Sequence, residues 1–155
     1  MLLEHADHDE AEDAYTAALL HDIGKLMLAN NLPDQFQKAL DLSAESRMKF
    51  ADAEQNVFGA THTGVGAYLL GLWGLPAVIV EAVAFHHTPA RSDTRKFSPL
   101  TAVHAANALE HEISGVATRG EEPALDMDYL AAIGVQDRIE TWRDEAANLL
   151  SADRN

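Results

Sequence analysis

Apolar residues recur at helical spacing in most of the chain, and no stretch alternates with period two over a useful length. Tyr15, Leu19, Leu20, Ile23, Leu26 and Met27 form the first such series, predicting a helix from about Glu10 to Asn30. An acidic run, Glu4 to Asp13, leads into it, and Asn30-Asn31-Leu32-Pro33 stops it. Pro33-Asp34 opens a second helix with Phe36, Ala39, Leu40 and Leu42 inward. A third, more polar helix spans about Ser46 to Phe58 and ends at Gly59. Thr61 is placed to cap a short helix through Leu70, which puts His62 at its N-terminus. Gly64, Gly66, Gly71 and Gly74 crowd this region, and close helix packing is the expected reason. Leu75-Pro76 opens a helix over 77–87 that is apolar nearly all round and therefore expected to be strongly buried. Ser98-Pro99 is an N-cap and N1 pair for a helix to about Ile113. Residues 114–125 read as a linker, followed by a short helix at 127–132 and an amphipathic one at 136–150. The predicted fold is all-α, one compact multi-helix domain over 1–155 with core motifs at 14–113 and a helical tail at 126–151.

Composition narrows the classes. The chain has 155 residues, 47% apolar and 23% charged, which suits one ordinary globular domain with a sizeable core. The densest apolar run, Leu75 to Phe85, is too short to cross a membrane and is interrupted by Glu81. The first residues lack a basic region and an apolar h-region, so no secretory signal is expected. With no cysteine there are no disulfides or thiolate metal sites, which fits a cytoplasmic protein. A net charge of −14 argues against binding a nucleic-acid backbone. The only local basic cluster is Arg91, Arg95 and Lys96 in the predicted loop 88–97.

The candidate chemistry centres on Leu19-Leu20-His21-Asp22-Ile23-Gly24-Lys25. On a helix, Lys25 lies one turn beyond Asp22 and His21, so an imidazole, a carboxylate and an ammonium can converge. An imidazole beside a hard oxygen ligand suits a divalent transition ion, and an ammonium suits a phosphate oxygen. Together they have the chemistry of metal-assisted phosphoester hydrolysis. His62, His86 and His87 lie at predicted helix ends, where side chains can share a cleft. His86 and His87 cannot both face one side of an ideal helix, although both can reach one centre from a fraying terminus. Their alternative role is to complement the negative end of the helix dipole. His104, one turn before Asn107, either faces the same cleft or is a hydrogen-bonded core histidine. His5, His8 and His111 sit among polar residues and are expected at the surface.

The order of motifs resembles a known family. Leu-Leu-His-Asp-Ile-Gly-Lys at 19–25 resembles the central motif of the HD superfamily of metal-dependent phosphohydrolases. Val57-Phe58-Gly59 follows, then His62 with Gly64-Val65-Gly66-Ala67-Tyr68-Leu69-Leu70, and Trp73-Gly74-Leu75-Pro76. Glu81-Ala82-Val83, His86-His87-Thr88-Pro89 and Val103-His104-Ala105-Ala106-Asn107-Ala108-Leu109 complete the series. In this order they resemble the HDOD domain, an HD-related output module of bacterial signalling proteins, over roughly residues 10–115.

The resemblance implies that His21, Asp22, His62, His86 and His87 match metal ligands of the catalytic HD-GYP relatives, and Lys25 their phosphate-facing lysine. It implies a divalent iron, manganese or zinc ion as the cofactor. Asn107 stands where the superfamily has its last aspartate ligand, and a neutral amide is a poor substitute. His104 would stand behind the ligands. The superfamily's first histidine lies on a preceding helix that this chain is expected to lack, Leu2-Leu3 reading as that helix's tail. The Gly-Tyr-Pro signature of cyclic di-GMP phosphodiesterases is absent from 88–96. The implied protein is the C-terminal portion of an HDOD domain with a degenerate metal site, acting through contacts with other signalling domains or proteins. The alternative is a phosphohydrolase acting on a nucleotide or cyclic dinucleotide. Truncation would leave apolar surface exposed, for another protein or a second copy of the chain to cover.

Overall fold

The computed structural model describes residues 8–115 and 124–152. Among these, every regular element is helical. The predicted first helix is two: α1 runs His8–Leu20 and α2 runs Ile23–Asn31, with a turn at His21-Asp22 between them. The Lys25 N–H donates to the Asp22 carbonyl at 2.9 Å, closing this turn. The inward stripe also differs from the expected one. Ala14 and Ala17 are the buried residues of α1, whereas Tyr15 and Leu19, and Leu26 of α2, are exposed. Small side chains face inward because α1 lies directly against the helices 77–85 and 99–114.

α3 spans Pro33–Ser46 and α4 spans Phe50–Phe58. The predicted start of the latter at Ser46 fails because Arg47 adopts a left-handed conformation, φ 51°, which ends α3. The Ser43 hydroxyl donates to the Met48 carbonyl at 2.9 Å and closes this corner. α5 is His62–Leu72, capped by the Thr61 hydroxyl, which accepts from the Gly64 N–H. α6 is Ala77–Phe85, and Val78 in its first turn is exposed, so its burial is less complete than its composition suggests. Pro89–Arg91 form a single 3-10 turn, and α7 runs Pro99–Ser114. The linker expected at 114–125 lies mostly outside the described residues. α8 covers Met127–Ala132, and a 3-10 turn at Gln136–Arg138 leads into α9, Ile139–Ala152.

Two apolar clusters share α7. Ala17, Leu70, Ile79, Ala82, Val83, Leu100 and Val103 join α1, α5, α6 and α7. Ala105, Leu109, Tyr129, Leu130, Val135, Ile139 and Trp142 pack the tail helices against the second half of α7. Burial of these side chains stabilises the bundle by roughly 1.5–3 kcal/mol for each large one. No helix among the described residues is long and apolar enough to cross a membrane.

One glycine contact positions the site. A Cβ on Gly24 would overlap the carbonyl oxygen of His62 and lie 2.9 Å from the Gly66 nitrogen. Gly66 in turn has its Cα face against Ile23, Val83 and the Gly24 backbone. This backbone-to-backbone crossing of α2 and α5 carries Asp22 to the start of α5, where His62 stands. Gly64 and Gly71 have no such contact, contrary to the expectation of close packing at all four glycines. Gly74 has φ +77° and ends its helix in a conformation that L side chains rarely adopt.

Candidate metal centre

Four of the five histidine and aspartate positions singled out in the sequence come together. Asp22, His62, His86 and His87 each offer a ligand atom, and these atoms all lie within 4.8 Å of one another. Asp22 stands in the α1–α2 turn, His62 opens α5, His86 caps the C-terminus of α6 and His87 follows it. Asp22 Oδ1 is 3.5 Å from His62 Nε2 and 3.9 Å from His86 Nε2. His62 and His86 are almost fully buried, and the side chain of Asp22 is 37% exposed. The group is therefore walled by protein on one side and reachable from the other.

Backbone and side-chain acceptors orient the rings. His86 Nδ1–H donates to the Val83 carbonyl at 3.0 Å, and His21 Nδ1–H donates to the Ala18 carbonyl at 2.8 Å. His62 Nδ1–H donates to Glu54 Oε2 at 2.6 Å, and the His62 backbone N–H donates to the same oxygen at 2.9 Å. Each of these bonds leaves an Nε2 lone pair available. His62 Nε2 meets His87 Nε2 at 3.2 Å. With the His62 proton committed to Glu54, His87 is the donor in that contact. His21 falls outside the mutually close set; its ring meets that of His86 edge-on at 5.1 Å, and its Nε2 is 3.6 Å from Asp22 Oδ2.

Electrostatics leaves Asp22 and His86 in forms that can ligate a metal as they stand, and His87 once its proton moves from Nε2 to Nδ1. Burial, reinforced by neighbouring imidazoles, pushes His86 down to about 3 and His87 down to about 2, so both rings are neutral near pH 7. Burial alone would raise the Asp22 carboxyl, but Lys25, with His21 and His62 adding to it, holds the group below its usual range. Lys25 Nζ donates to Asp22 Oδ2 at 2.7 Å, leaving Oδ1 to face the imidazoles. Both Asp22 Oδ1 and His86 Nε2 are buried atoms with no hydrogen-bond partner. Orphaned acceptors aimed at one point, with a carboxylate and neutral imidazoles, fit a divalent transition ion. The cluster could hold such an ion.

The remaining sequence candidates divide. His104 is buried, donates from Nδ1 to the His86 carbonyl at 2.8 Å and accepts at Nε2 from the Asp126 N–H at 2.9 Å. It is thus a bonded core histidine that also touches the backbone of a clustered residue. Asn107 lies almost one turn further along α7 and is half-buried. His8 is exposed as expected, His111 is half-buried rather than at the surface, and His5 lies outside the described residues. A hollow of about 500 Å³ lined by His8, Ala11, Glu12, Tyr15 and Thr16 lies along α1, and no clustered residue borders it. Sequence reasoning missed Glu54. Its signal is a charged residue in the inward stripe of α4, with Phe50 and Phe58 four positions to either side.

The fold and the cluster together define an all-α protein with a histidine–aspartate group, the class to which HD-type domains belong. The chain matches the family model of the HDOD domain over residues 1–89, more than half its length, and it belongs to that family. The match takes in the whole cluster and Lys25, whereas His104, Asn107 and the tail helices lie beyond it. An uncharacterized protein of Treponema pallidum (strain Nichols) is 28% identical over 87 residues, 55% of this chain and 17% of that protein. The chain therefore spans under a fifth of that relative's length. No solved structure matches.

Proposed function

We propose that this HDOD chain is a regulatory signalling domain of a bacterium, acting in the cytoplasm through protein contacts and retaining one divalent metal site of reduced catalytic capacity. Asp22 Oδ1, His62 Nε2 and His86 Nε2 would hold the ion together with His87, whose proton would move from Nε2 to Nδ1, with His21 beside them. The observation that carries the reading is the pair of orphaned buried acceptors on Asp22 and His86 within a group that has a single carboxylate. A bridged metal pair able to activate water ordinarily draws on more than one carboxylate, and Asn107 offers only an amide where the family resemblance implies an aspartate. The exposed apolar side chains Tyr68 and Leu72 on α5, Trp73 just after it and Val78 on α6 favour contacts with other signalling proteins or a second copy of the chain.

The test is elemental analysis of chain purified without chelator or histidine tag, followed by a melt with and without Zn²⁺ or Mn²⁺. Near-stoichiometric metal is expected, lost in His86→Ala. At a metal concentration of 100 times Kd the ion adds about 2.7 kcal/mol, a rise of roughly 5–10 °C in Tm. A folded chain that takes up no ion and shows no rise refutes the metal site.

Lys25 favours a second reading as a phosphohydrolase. Its side chain is 32% exposed with the ammonium beside Asp22, within reach of a phosphate oxygen on a nucleotide or cyclic dinucleotide. A bound ion would supply Lewis-acid polarisation there, and Lys25 would offset charge developing on phosphorus oxygens. This reading expects Asn107→Asp to raise both metal uptake and phosphodiester turnover. Unchanged behaviour in that variant counts against it.

A further inference from the structure

We infer that Glu54 is a positioning residue for the metal centre, holding His62 in the single tautomer that can ligate. The inference rests on the metal reading above. Glu54 is fully buried, and one of its oxygens, Oε2, takes two hydrogen bonds from His62, one from the backbone and one from Nδ1. The backbone bond fixes where the residue sits, and the ring bond fixes which nitrogen carries the proton. Nε2 is left as the acceptor on the side of the ring where Asp22 and His87 stand. A carboxylate in this place also strengthens the imidazole as a ligand.

Packing gives no reason for the residue. Burying a carboxylate is unfavourable unless it is fully bonded, and Glu54 Oε1 is buried with no partner. An apolar side chain in the stripe of Phe50, Ala53 and Val57 would serve the α4 contact at least as well. The His62 ring stacks on Phe50, whose ring centroid lies 6.3 Å away, so the ring keeps its place in the wall without the carboxylate. What the carboxylate adds is the choice of tautomer. The same choice is made for His86 and His21 by backbone carbonyls of their own helices. His62 stands in the first turn of α5, where backbone N–H groups and not carbonyls are available, so the acceptor has to come from another element.

Two measurements on the full chain decide this. In ¹⁵N-labelled metal-free protein, long-range ¹H–¹⁵N correlations are expected to show His62 protonated at Nδ1 alone. A neutral His62 protonated at Nε2 overturns the assignment, and a packing role would not dictate either form. In Glu54→Gln the amide can donate as well as accept, so His62 is expected to populate both tautomers. Calorimetric titration with Zn²⁺ and with Mn²⁺ is expected to show affinity about 10–100-fold below that of the parent. A variant that keeps the parent's tautomer and affinity overturns the Glu54 assignment alone. A parent chain that takes up neither ion overturns the metal reading and this inference with it.

Discussion

Replacing Gly24 by alanine separates a packing cause from a conformational one, because the two have opposite signs. In a helix, alanine is ordinarily better than glycine by about 0.5–1 kcal/mol. Here the added methyl overlaps the His62 carbonyl oxygen and lies 2.8 Å from the His62 carbonyl carbon and 2.9 Å from the Gly66 nitrogen. All three atoms are backbone, so no side chain can rotate away, and α2 and α5 must part. Overpacking of this kind costs about 1–3 kcal/mol or more. Parting two helices by about 1 Å also forfeits a quarter to a half of each dispersion contact across the seam. The expected net loss is about 2–3 kcal/mol, read as a fall of roughly 5–10 °C in Tm by circular dichroism. The same displacement draws His62 Nε2 away from Asp22 Oδ1, now 3.5 Å apart, so Zn²⁺ affinity falls with stability. Gly66→Ala meets methyl groups of Ile23 and Val83 at 3.2 Å, which can yield, and the Gly24 backbone nitrogen at 3.3 Å, a much milder overlap than that at Gly24, and is expected to cost less. Gly71→Ala meets nothing within 4 Å and is expected to stabilise. A Gly24→Ala protein as stable as the parent, or more so, would refute the crossing as the device that aligns the site.

Acid should destabilise the metal-free chain earlier than carboxylate protonation would. His86 and His87 stay neutral when folded down to about 3 and about 2, whereas an unfolded histidine takes its proton near pH 6.5. Stability is thus fully present above about pH 6.5 and falls toward pH 3, by up to about 1.4 kcal/mol per histidine and pH unit. A Tm that is flat from pH 7 to 5 contradicts the neutral buried pair. His104→Ala leaves the His86 carbonyl and the Asp126 N–H without their partner, each worth about 1–3 kcal/mol when buried. Hydrogen exchange at 126–132 and in the last turn of α6 should rise together; a rise at only one of them refutes the link.

Much of the helical plan can be read from the sequence because its stops are local. Pro33, Pro76 and Pro99 restrict the backbone on their own, Gly59 admits a left-handed turn, and Thr61 caps α5 through its hydroxyl, whereas Ser98 occupies the cap position of α7 without a side-chain cap bond. The turn at His21-Asp22 carries no such signal. It exists because α2 must bend to seat Gly24 on α5, and nothing in residues 10–30 states what lies 40 residues away. The exposed Tyr15, Leu19 and Leu26 mislead for the same reason. Large apolar residues suggest an inward stripe, but the close approach of α1 to α6 and α7 leaves room only for alanines there.

The site divides along a similar line. Its first tier is legible because ligand chemistry restricts residue type, and histidines at helix ends are few enough to stand out. Their supporting acceptors are not restricted in this way. His86 and His21 use carbonyls of their own helices, and any residue supplies a carbonyl, so no sequence signature exists. Glu54 is the exception. The first turn of α5 has no carbonyl to offer, so a side chain must reach across from α4, and an inward-facing glutamate between Phe50 and Phe58 is the trace it leaves. A charged residue inside an apolar stripe, a short loop before an N-terminal histidine, is therefore the feature by which such a centre can be sought in sequence.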